Sequence, residues 1–367
     1  YDEIHFTTYY KYGDFVKSSI KKCIISSLKK KQKYIELDSW NFLIIDLEGD
    51  AEDAKNLFQC ITNSINQLLN DKKQKIYFSI AAGAIELSKE FYSYDRVLEC
   101  LNFSLNRAEG FNGNKFYLFD MQHYIRLKRK EEILKHIYWA INHDFEGFEL
   151  YYQPIIDINT KSIITLEALL RLKMKDEYIQ PKEFISLLEQ THLILPVGRW
   201  VLKTAMESWK ELQQLIPGLK MNVNMSFVQV NQNNSVQMII DIIKEIDTTL
   251  LGIEITETGE LNSNQYYNFC IGLEKGKRAL ILDDYGSGFS NVHRLTAAKP
   301  QYIKIDHSFT KHIIKSDYYR KILKNTITDV IKSLGADYMQ GCLFARPMDK
   351  HSFIKNHKRM SENFLNN

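Results

Sequence analysis

Ala279-Leu280-Ile281-Leu282-Asp283-Asp284-Tyr285-Gly286-Ser287-Gly288-Phe289-Ser290 is the stretch whose reading decides the fold. A short apolar run ends in two adjacent aspartates, and a glycine-bearing loop follows. Such a run, bounded by turn residues, reads as a buried strand rather than a helix. Carboxylates at the end of a buried strand are costly unless a cation neutralises them. Similar runs recur on both sides of this one: Leu150–Ile156, Ile163–Leu172, Met221–Ser226, Gly252–Thr256, Tyr302–Asp306 and Tyr338–Phe344. Helical segments separate most of them, namely Pro181–Gln190, Gly198–Leu212, Ser235–Ile246, Asn264–Lys275 and Tyr318–Leu334. Repeated βα units predict an α/β fold, a (β/α)8 TIM-like barrel with its site at the C-terminal strand ends.

The residues at those ends share one chemistry. The second strand carries Glu167, the third Asn224, the fourth Glu254 with Glu257 just beyond, the fifth Asp283 and Asp284, and the sixth Lys304. Any one of these acids alone reads as a salt-bridge partner or a cap. Their joint placement at successive strand ends is what carries weight. Carboxylates plus an amide oxygen form an all-oxygen set, suited to Mg²⁺ or Mn²⁺ rather than zinc. Two adjacent aspartates let one carboxylate bridge two ions, and a two-metal site clamps both oxygens of a phosphodiester displacement. Arg171 and Lys304 add positive charge for phosphate oxygens.

Outward from this region the chain is ordinary. Its 367 residues are 44% hydrophobic and 25% charged, which excludes wholesale disorder. The formal net charge of +3 announces no nucleic-acid surface, so no DNA or RNA partner is expected. The basic run Lys29–Lys31 reads as a solvated helix end. No apolar run approaches the roughly 18 residues of a membrane span. Cys23, Cys60, Cys100, Cys270 and Cys342 are scattered without CxxC spacing, which predicts a reducing cytoplasm. The chain begins at Tyr1 without Met. A fragment is therefore expected, with room upstream for a sensor or for a membrane segment that would tether it.

The first 120 residues read as a smaller α/β unit. Helices are expected at Asp14–Leu28, Ala51–Leu69 and Asp95–Ala108, and strands at Tyr34–Leu37, Phe42–Asp46, Ile76–Ile85 and Lys115–Phe119. Their alternation predicts one sheet covered by helices. Tyr124–His143 reads as a connecting helix with a densely charged, solvated stretch at Arg126–Glu132. The boundaries drawn are 1–121, a connector 122–145, and 146–367.

Phe148 to about Pro347 resembles an EAL domain, the family of cyclic di-GMP phosphodiesterases. The likeness rests on Tyr151-Tyr152-Gln153-Pro154, Glu167–Arg171, Pro181 with Phe184-Ile185, Gly198–Leu202, Asn224–Ser226 with Gln229, Glu254–Glu257, Asp283–Ser290, Lys304–Asp306, and Gln340-Gly341 before Phe344 and Pro347. The resemblance implies that Glu167, Asn224, Glu254 and Asp283 bind one divalent ion, and that Asp283 and Asp284 share a second. It implies that Lys304 handles protons or orients the attacking water, and that Gln153, Arg171 and Gln340 hold the substrate. Glu257 would anchor the loop Tyr285–Ser290, which in the family links dimerisation to the site, so a homodimer through this domain is expected. The product implied is linear pGpG.

The first unit resembles a decayed GGDEF diguanylate cyclase domain. Tyr12-Gly13-Asp14 looks like the helix start after the nucleotide-binding turn, Ser79–Ala84 like the SIG-type strand, and Asn106–Glu109 with Gly113-Asn114 like the RAK…GRN stretch. At the signature itself the chain reads Asp38-Ser39-Trp40-Asn41-Phe42, without the glycines or the acidic pair. The RxxD inhibitory site is also missing, since Leu28–Gln32 stands there. No cyclase activity is expected, and the unit would regulate or dimerise.

One departure falls inside the barrel. The family carries a strand ending in EGVE, then a helix, before the Gln-Gly strand, whereas here Leu334-Gly335-Ala336-Asp337-Tyr338-Met339-Gln340 runs straight through. Seven strands are legible where a closed barrel has eight. Either the unit is deleted, or residues are left out of the sequence between Leu334 and Ala336. A deletion favours a receptor that binds cyclic di-GMP or a protein without hydrolysis, and an omission favours the enzyme.

Overall fold

In the first unit, apolar residues three and four apart put one face of each helix inward. Ile20, Cys23 and Ile24 from one helix meet Ile61 and Ile65 from another. These belong to a computed structural model that describes residues 10–38, 40–70, 79–87, 93–109, 115–157, 159–160, 162–242, 250–256, 263–276, 278–285, 300–305, 338–340 and 345–366. The chain divides into two compact units, Tyr1–Lys128 and Arg129–Asn367.

The first unit runs α1 (Tyr10–Ser27), β1 (Gln32–Glu36), β2 (Phe42–Asp46), α2 (Ala51–Asn70), β3 (Ala81–Ala84), α3 (Tyr94–Glu109) and β4 (Lys115–Leu118). Its core packs Tyr34, Phe42 and Ile44 against α1 and α2. Two expectations change here. Helix α1 starts at Tyr10, so Tyr12-Gly13-Asp14 lies inside the helix rather than ahead of it. A glycine there costs about 1 kcal/mol, which one packed face outweighs. Among the described residues the strands form two pairs rather than one sheet: β1–β2 antiparallel and β3–β4 parallel. The first part of the expected strand Ile76–Ile85 and the turn at 112–114 lie outside the described residues.

Helix α4 (Met121–Asn142) leads into the second unit, where it buries Ile133, Ile137 and Ala140. The strands that follow are β5 (Phe148–Asp157), β6 (Ile163–Met174), β7 (Glu177–Ile179), β8 (Lys220–Asn224), β9 (Leu251–Thr256), β10 (Ala279–Tyr285), β11 (Tyr302–Ile305), β12 (Tyr338–Met339) and β13 (Met348–Asp349). Among the described residues the helices of this unit are α5 (Pro181–Gln190), α6 (Ile194–Leu215), α7 (Phe227–Val230), α8 (Ser235–Ile242), α9 (Ser263–Lys275) and α10 (Lys350–Asn366). Strands β6, β8, β9, β10 and β11 are parallel neighbours, as βα repeats require.

Strand β5 breaks the expected pattern, because it runs antiparallel to β6. The reason is length. A parallel return needs a crossover of a dozen or more residues. The chain instead turns sharply after β5, where Asp157 Oδ1 accepts from the backbone of Asn159 and Thr160 at 2.9 and 2.8 Å. The far half of β6 then pairs with the near half of β5, Phe148 opposite Leu172, and also with β7. Glu167, expected at a strand end, therefore sits in the middle of β6.

The strand order is β11-β10-β9-β8-β6-β5-β12, with β7 and β13 off this path. Among the described residues no ladder joins β11 to β12. The sheet nevertheless curls until its ends touch through side chains, because the rings of Tyr302 and Tyr338 lie 5.6 Å apart, edge to face. The core between sheet and helices includes Leu166, Met221, Val223 and Ile253 from strands, and Phe184, Leu202, Trp209 and Phe269 from helices. The expected helix Tyr318–Leu334 lies outside the described residues. No described helix is long and apolar enough to cross a membrane.

Candidate metal and phosphate site

Register places the site residues in two rows across the sheet. Gln153 on β5 lies opposite Glu167 on β6, Glu167 opposite Asn222 on β8, and Asn222 opposite Gly252 on β9. Two residues further along, Asn224 lies opposite Glu254, and Glu254 opposite Ile281. Asp283 follows on β10, opposite Thr256. Side chains alternate along each strand, so residues two apart share a face. Glu167, Asn222, Asn224, Glu254 and Asp283 are thereby gathered from four strands.

The carboxylate oxygens of Glu167, Glu254 and Asp283 all lie within 4.8 Å of one another. Glu254 is fully buried and Glu167 nearly so, while Asp283 is half-buried. The Lys304 ammonium sits between them, 2.7 Å from Glu167 Oε2, 2.7 Å from Glu254 Oε2 and 3.7 Å from Asp283 Oδ2. Glu167 also accepts from Asn224 Nδ2 at 2.7 Å and from Gln340 Nε2 at 2.5 Å. Glu254 Oε1 accepts from Asn222 Nδ2 at 2.8 Å.

Electrostatics separates the two glutamates. Burial and the neighbouring Glu167 charge push Glu254 up to about 8, against which Lys304 pulls only in part. Burial also opposes charge on Glu167, but Lys304, Gln340 and Asn224 outweigh it and hold that carboxylate below its ordinary value. Burial likewise opposes charge on Lys304. The three acids overcome it and raise the ammonium above its usual range. Among the described residues, three carboxylates thus face the Lys304 ammonium, and the donor set suits a hard divalent cation.

Gln340 and Gln153 close one side. Gln340 Nε2 donates to Gln153 Oε1 at 3.0 Å, and Gln153 Nε2 donates to the Ala345 carbonyl at 3.0 Å. Gln340 Oε1 is buried without a partner among the described residues. Arg171 stands two turns of the pleat beyond Glu167, half-buried over the Tyr151 ring at 5.4 Å, with Nη1 on the Leu170 carbonyl at 2.9 Å. Burial lowers its pKa. The backbone turn after Asn224 is fixed by Gln229, whose Oε1 accepts from Ser226 N at 3.1 Å.

The structure therefore brings together Glu167, Asn224, Glu254, Asp283, Lys304, Gln153 and Gln340. Glu257 lies outside the described residues, as does the side chain of Asp284. The sequence reading missed Asn222. Its signal was available, since it stands two residues before Asn224 and so shares a strand face with it.

A mixed α/β sheet that gathers acids from several strands on one face defines the class of fold. The chain belongs to the EAL domain family, which matches residues 140–336. The match stops four residues short of Gln340. Among curated relatives, the probable cyclic di-GMP phosphodiesterase PdeI of Escherichia coli (strain K12) is 31% identical over 261 residues, covering 63% of this chain and 33% of that protein. The cyclic di-GMP phosphodiesterase PA2567 of Pseudomonas aeruginosa is 28% identical over 186 residues, 50% of this chain and 32% of that protein. The uncharacterized protein y4lL of Sinorhizobium fredii is 25% identical over 368 residues, 92% of this chain and 43% of that protein. The chain thus spans less than half the length of these relatives. Among solved structures, the EAL enzyme Bd1971 with cAMP and cyclic di-GMP bound shares the fold at a TM-score of 0.56 and 21% identity, covering 86% of this chain and 80% of that one. The PaMucR phosphodiesterase in complex with c-di-GMP shares it at 0.53 and 22%, covering 60% and 99%.

Proposed function

We propose that this chain is a metal-dependent phosphodiesterase that hydrolyses cyclic di-GMP to linear pGpG. The observation that carries the proposal is the cluster of Glu167, Glu254 and Asp283 oxygens within 4.8 Å, in an EAL chain with cyclic di-GMP phosphodiesterases among its relatives. Glu167, Asn224, Glu254 and Asp283 would hold one Mg²⁺ or Mn²⁺, with Asp283 and Asp284 sharing a second. Such ions supply charge neutralisation for the phosphate and a more acidic water. In the reaction, water adds to phosphorus, the bond to the ribose 3′ oxygen breaks, and that oxygen leaves with a proton. Lys304, bonded to two of the acids, carries protons beside the cluster and would orient or relay for the water. Gln153, Gln340 and Arg171 would bind the dinucleotide, with Arg171 supplying a charge-assisted contact to phosphate. Glu257 would anchor the loop 285–290 and couple it to a homodimer. The first unit would be a GGDEF-like regulator without cyclase activity, in a protein working in the cytoplasm.

A second reading, a receptor that binds cyclic di-GMP without turnover, is favoured by two observations: Lys304 already neutralises part of the cluster, and the EGVE unit is missing from the sequence. Calorimetric titration of cyclic di-GMP in Ca²⁺, then exchange into Mn²⁺ and chromatography, separates the two. Binding followed by pGpG supports the enzyme, binding without product supports the receptor, and no binding in either ion removes both.

A further inference from the structure

Asn222 is a buried amide that the proposed chemistry leaves without a role. It lies on β8 in the row Gln153, Glu167, Asn222, Gly252, one step below Asn224 and Glu254. From there its Nδ2 reaches across to Glu254 Oε1 at 2.8 Å. The reach depends on the glycine opposite. A β-carbon at position 252 would lie 2.4 Å from Asn222 Oδ1 and 2.5 Å from Ile281 Cδ1, so any side chain there would push the amide aside. The carboxylate it serves is fully buried, and its other oxygen is taken by Lys304. An amide also suits the place chemically. It donates a hydrogen bond without adding charge, whereas aspartate would set a further negative group beside Glu254, Glu167 and Asp283.

We infer that Asn222, seated over Gly252, is a positioning residue that fixes the Glu254 carboxylate for a divalent cation. The inference rests on the metal site proposed above. A buried carboxylate held at one oxygen by a neutral donor presents the other in one orientation, and partners of this kind change metal affinity by about 10–100-fold when removed. Leucine has nearly the shape of asparagine but cannot donate, so Asn222→Leu isolates the hydrogen bond from packing.

The test is calorimetric titration of the full chain with Mn²⁺ alone, with the folded fraction of each sample fixed by its metal-free unfolding curve. Parent protein is expected to bind Mn²⁺, and Asn222→Leu to bind it about 10–100-fold more weakly per folded molecule. In turnover of cyclic di-GMP, the variant is expected to keep the parent KM for the dinucleotide, with kcat restored by raising Mn²⁺. A merely structural role would not produce that rescue. Should Asn222→Leu fail to fold, Asn222→Ala, which adds no bulk, carries the same expectation. If either folded variant binds Mn²⁺ as the parent does, the inference is overturned while the metal site stands. If the parent itself takes up no Mn²⁺, the metal site falls and the inference with it.

Discussion

Two acidic regions of this chain use their carboxylates in opposite ways. In the first unit, Asp38 opens the turn between β1 and β2. Its Oδ1 accepts from the backbone of Trp40 and Asn41 at 2.8 and 2.9 Å, and its Oδ2 accepts from Asn41 Nδ2 at 2.8 Å. Those bonds, led by the Asn41 side chain, lower its pKa. The acid is satisfied within four residues of its own turn, and where the resemblance expects glycines there are side chains. In the second unit, Glu167, Glu254 and Asp283 come from three different strands to within 4.8 Å of one another, where burial opposes charge on the two glutamates. An acid closed on its own backbone asks for nothing further. Acids that converge from distant strands on the Lys304 ammonium form an oxygen-rich set of the kind a divalent ion would suit.

The comparison can be broken at four places, taken from the largest expected effect. Glu167→Ala removes a carboxylate that meets Lys304, Gln340 and Asn224 at once. It is expected to abolish hydrolysis, since the charge stabilisation lost is on the order of several kcal/mol. Normal turnover at saturating Mn²⁺ contradicts the assignment. Lys304→Met leaves the buried acids without their ammonium. The metal-free protein is expected to lose about 3–5 kcal/mol of stability, with added Mn²⁺ restoring much of it. Thermal unfolding with and without Mn²⁺ measures this, and equal losses in both conditions would mean that no cation replaces the lysine. Cyclic di-GMP affinity of the same variant in Ca²⁺ tells a structural role from a catalytic one, since a purely catalytic lysine leaves binding intact.

Arg171→Ala is expected to weaken cyclic di-GMP binding about ten- to a hundredfold, the loss of one charge-assisted contact of about 1.5–3 kcal/mol. Calorimetry in Ca²⁺ reads it, and parent-like binding places the ligand elsewhere. The smallest effect is expected in the first unit. Asp38→Ala removes bonds that are local to an exposed turn and is expected to lower the stability of that unit only slightly. Denaturant unfolding of that unit's transition measures it. The parent and the variant should both make no cyclic di-GMP from GTP, and product from protein free of contaminating cyclase would overturn the inactive assignment.

Much of this was legible because strand ends announce themselves. Apolar runs closing on Glu254, Asp283 and Asn224 gave both the βα units and the acidic set, and Pro181–Gln190 was read at the limits at which it folds. What escaped depended on pairing rather than on pattern. Periodicity cannot state direction, so β5 passed as one more parallel strand, although the short link to Ile163 forbids it. Glu167 was read among the strand ends although the run Ile163–Leu172 already set it mid-strand, and pairing with β5 holds that whole run as one strand. Asn222 was passed over because a lone polar residue within a strand reads as tolerated. Its purpose appears only when register sets it against Gly252 and beside Glu254. The short strands β7 and β13 are too brief to carry any period at all.

The most direct test of the central claim, that convergent acids make the second unit a metal-dependent phosphodiesterase, is one incubation series. Parent protein and Glu167→Ala are mixed with cyclic di-GMP in Mn²⁺ or in excess chelator, and pGpG is quantified by chromatography. The expected result is pGpG from the parent in Mn²⁺ and from no other sample. Product formed equally by Glu167→Ala, or by the parent in chelator, contradicts the claim, and so does a parent that forms none in Mn²⁺.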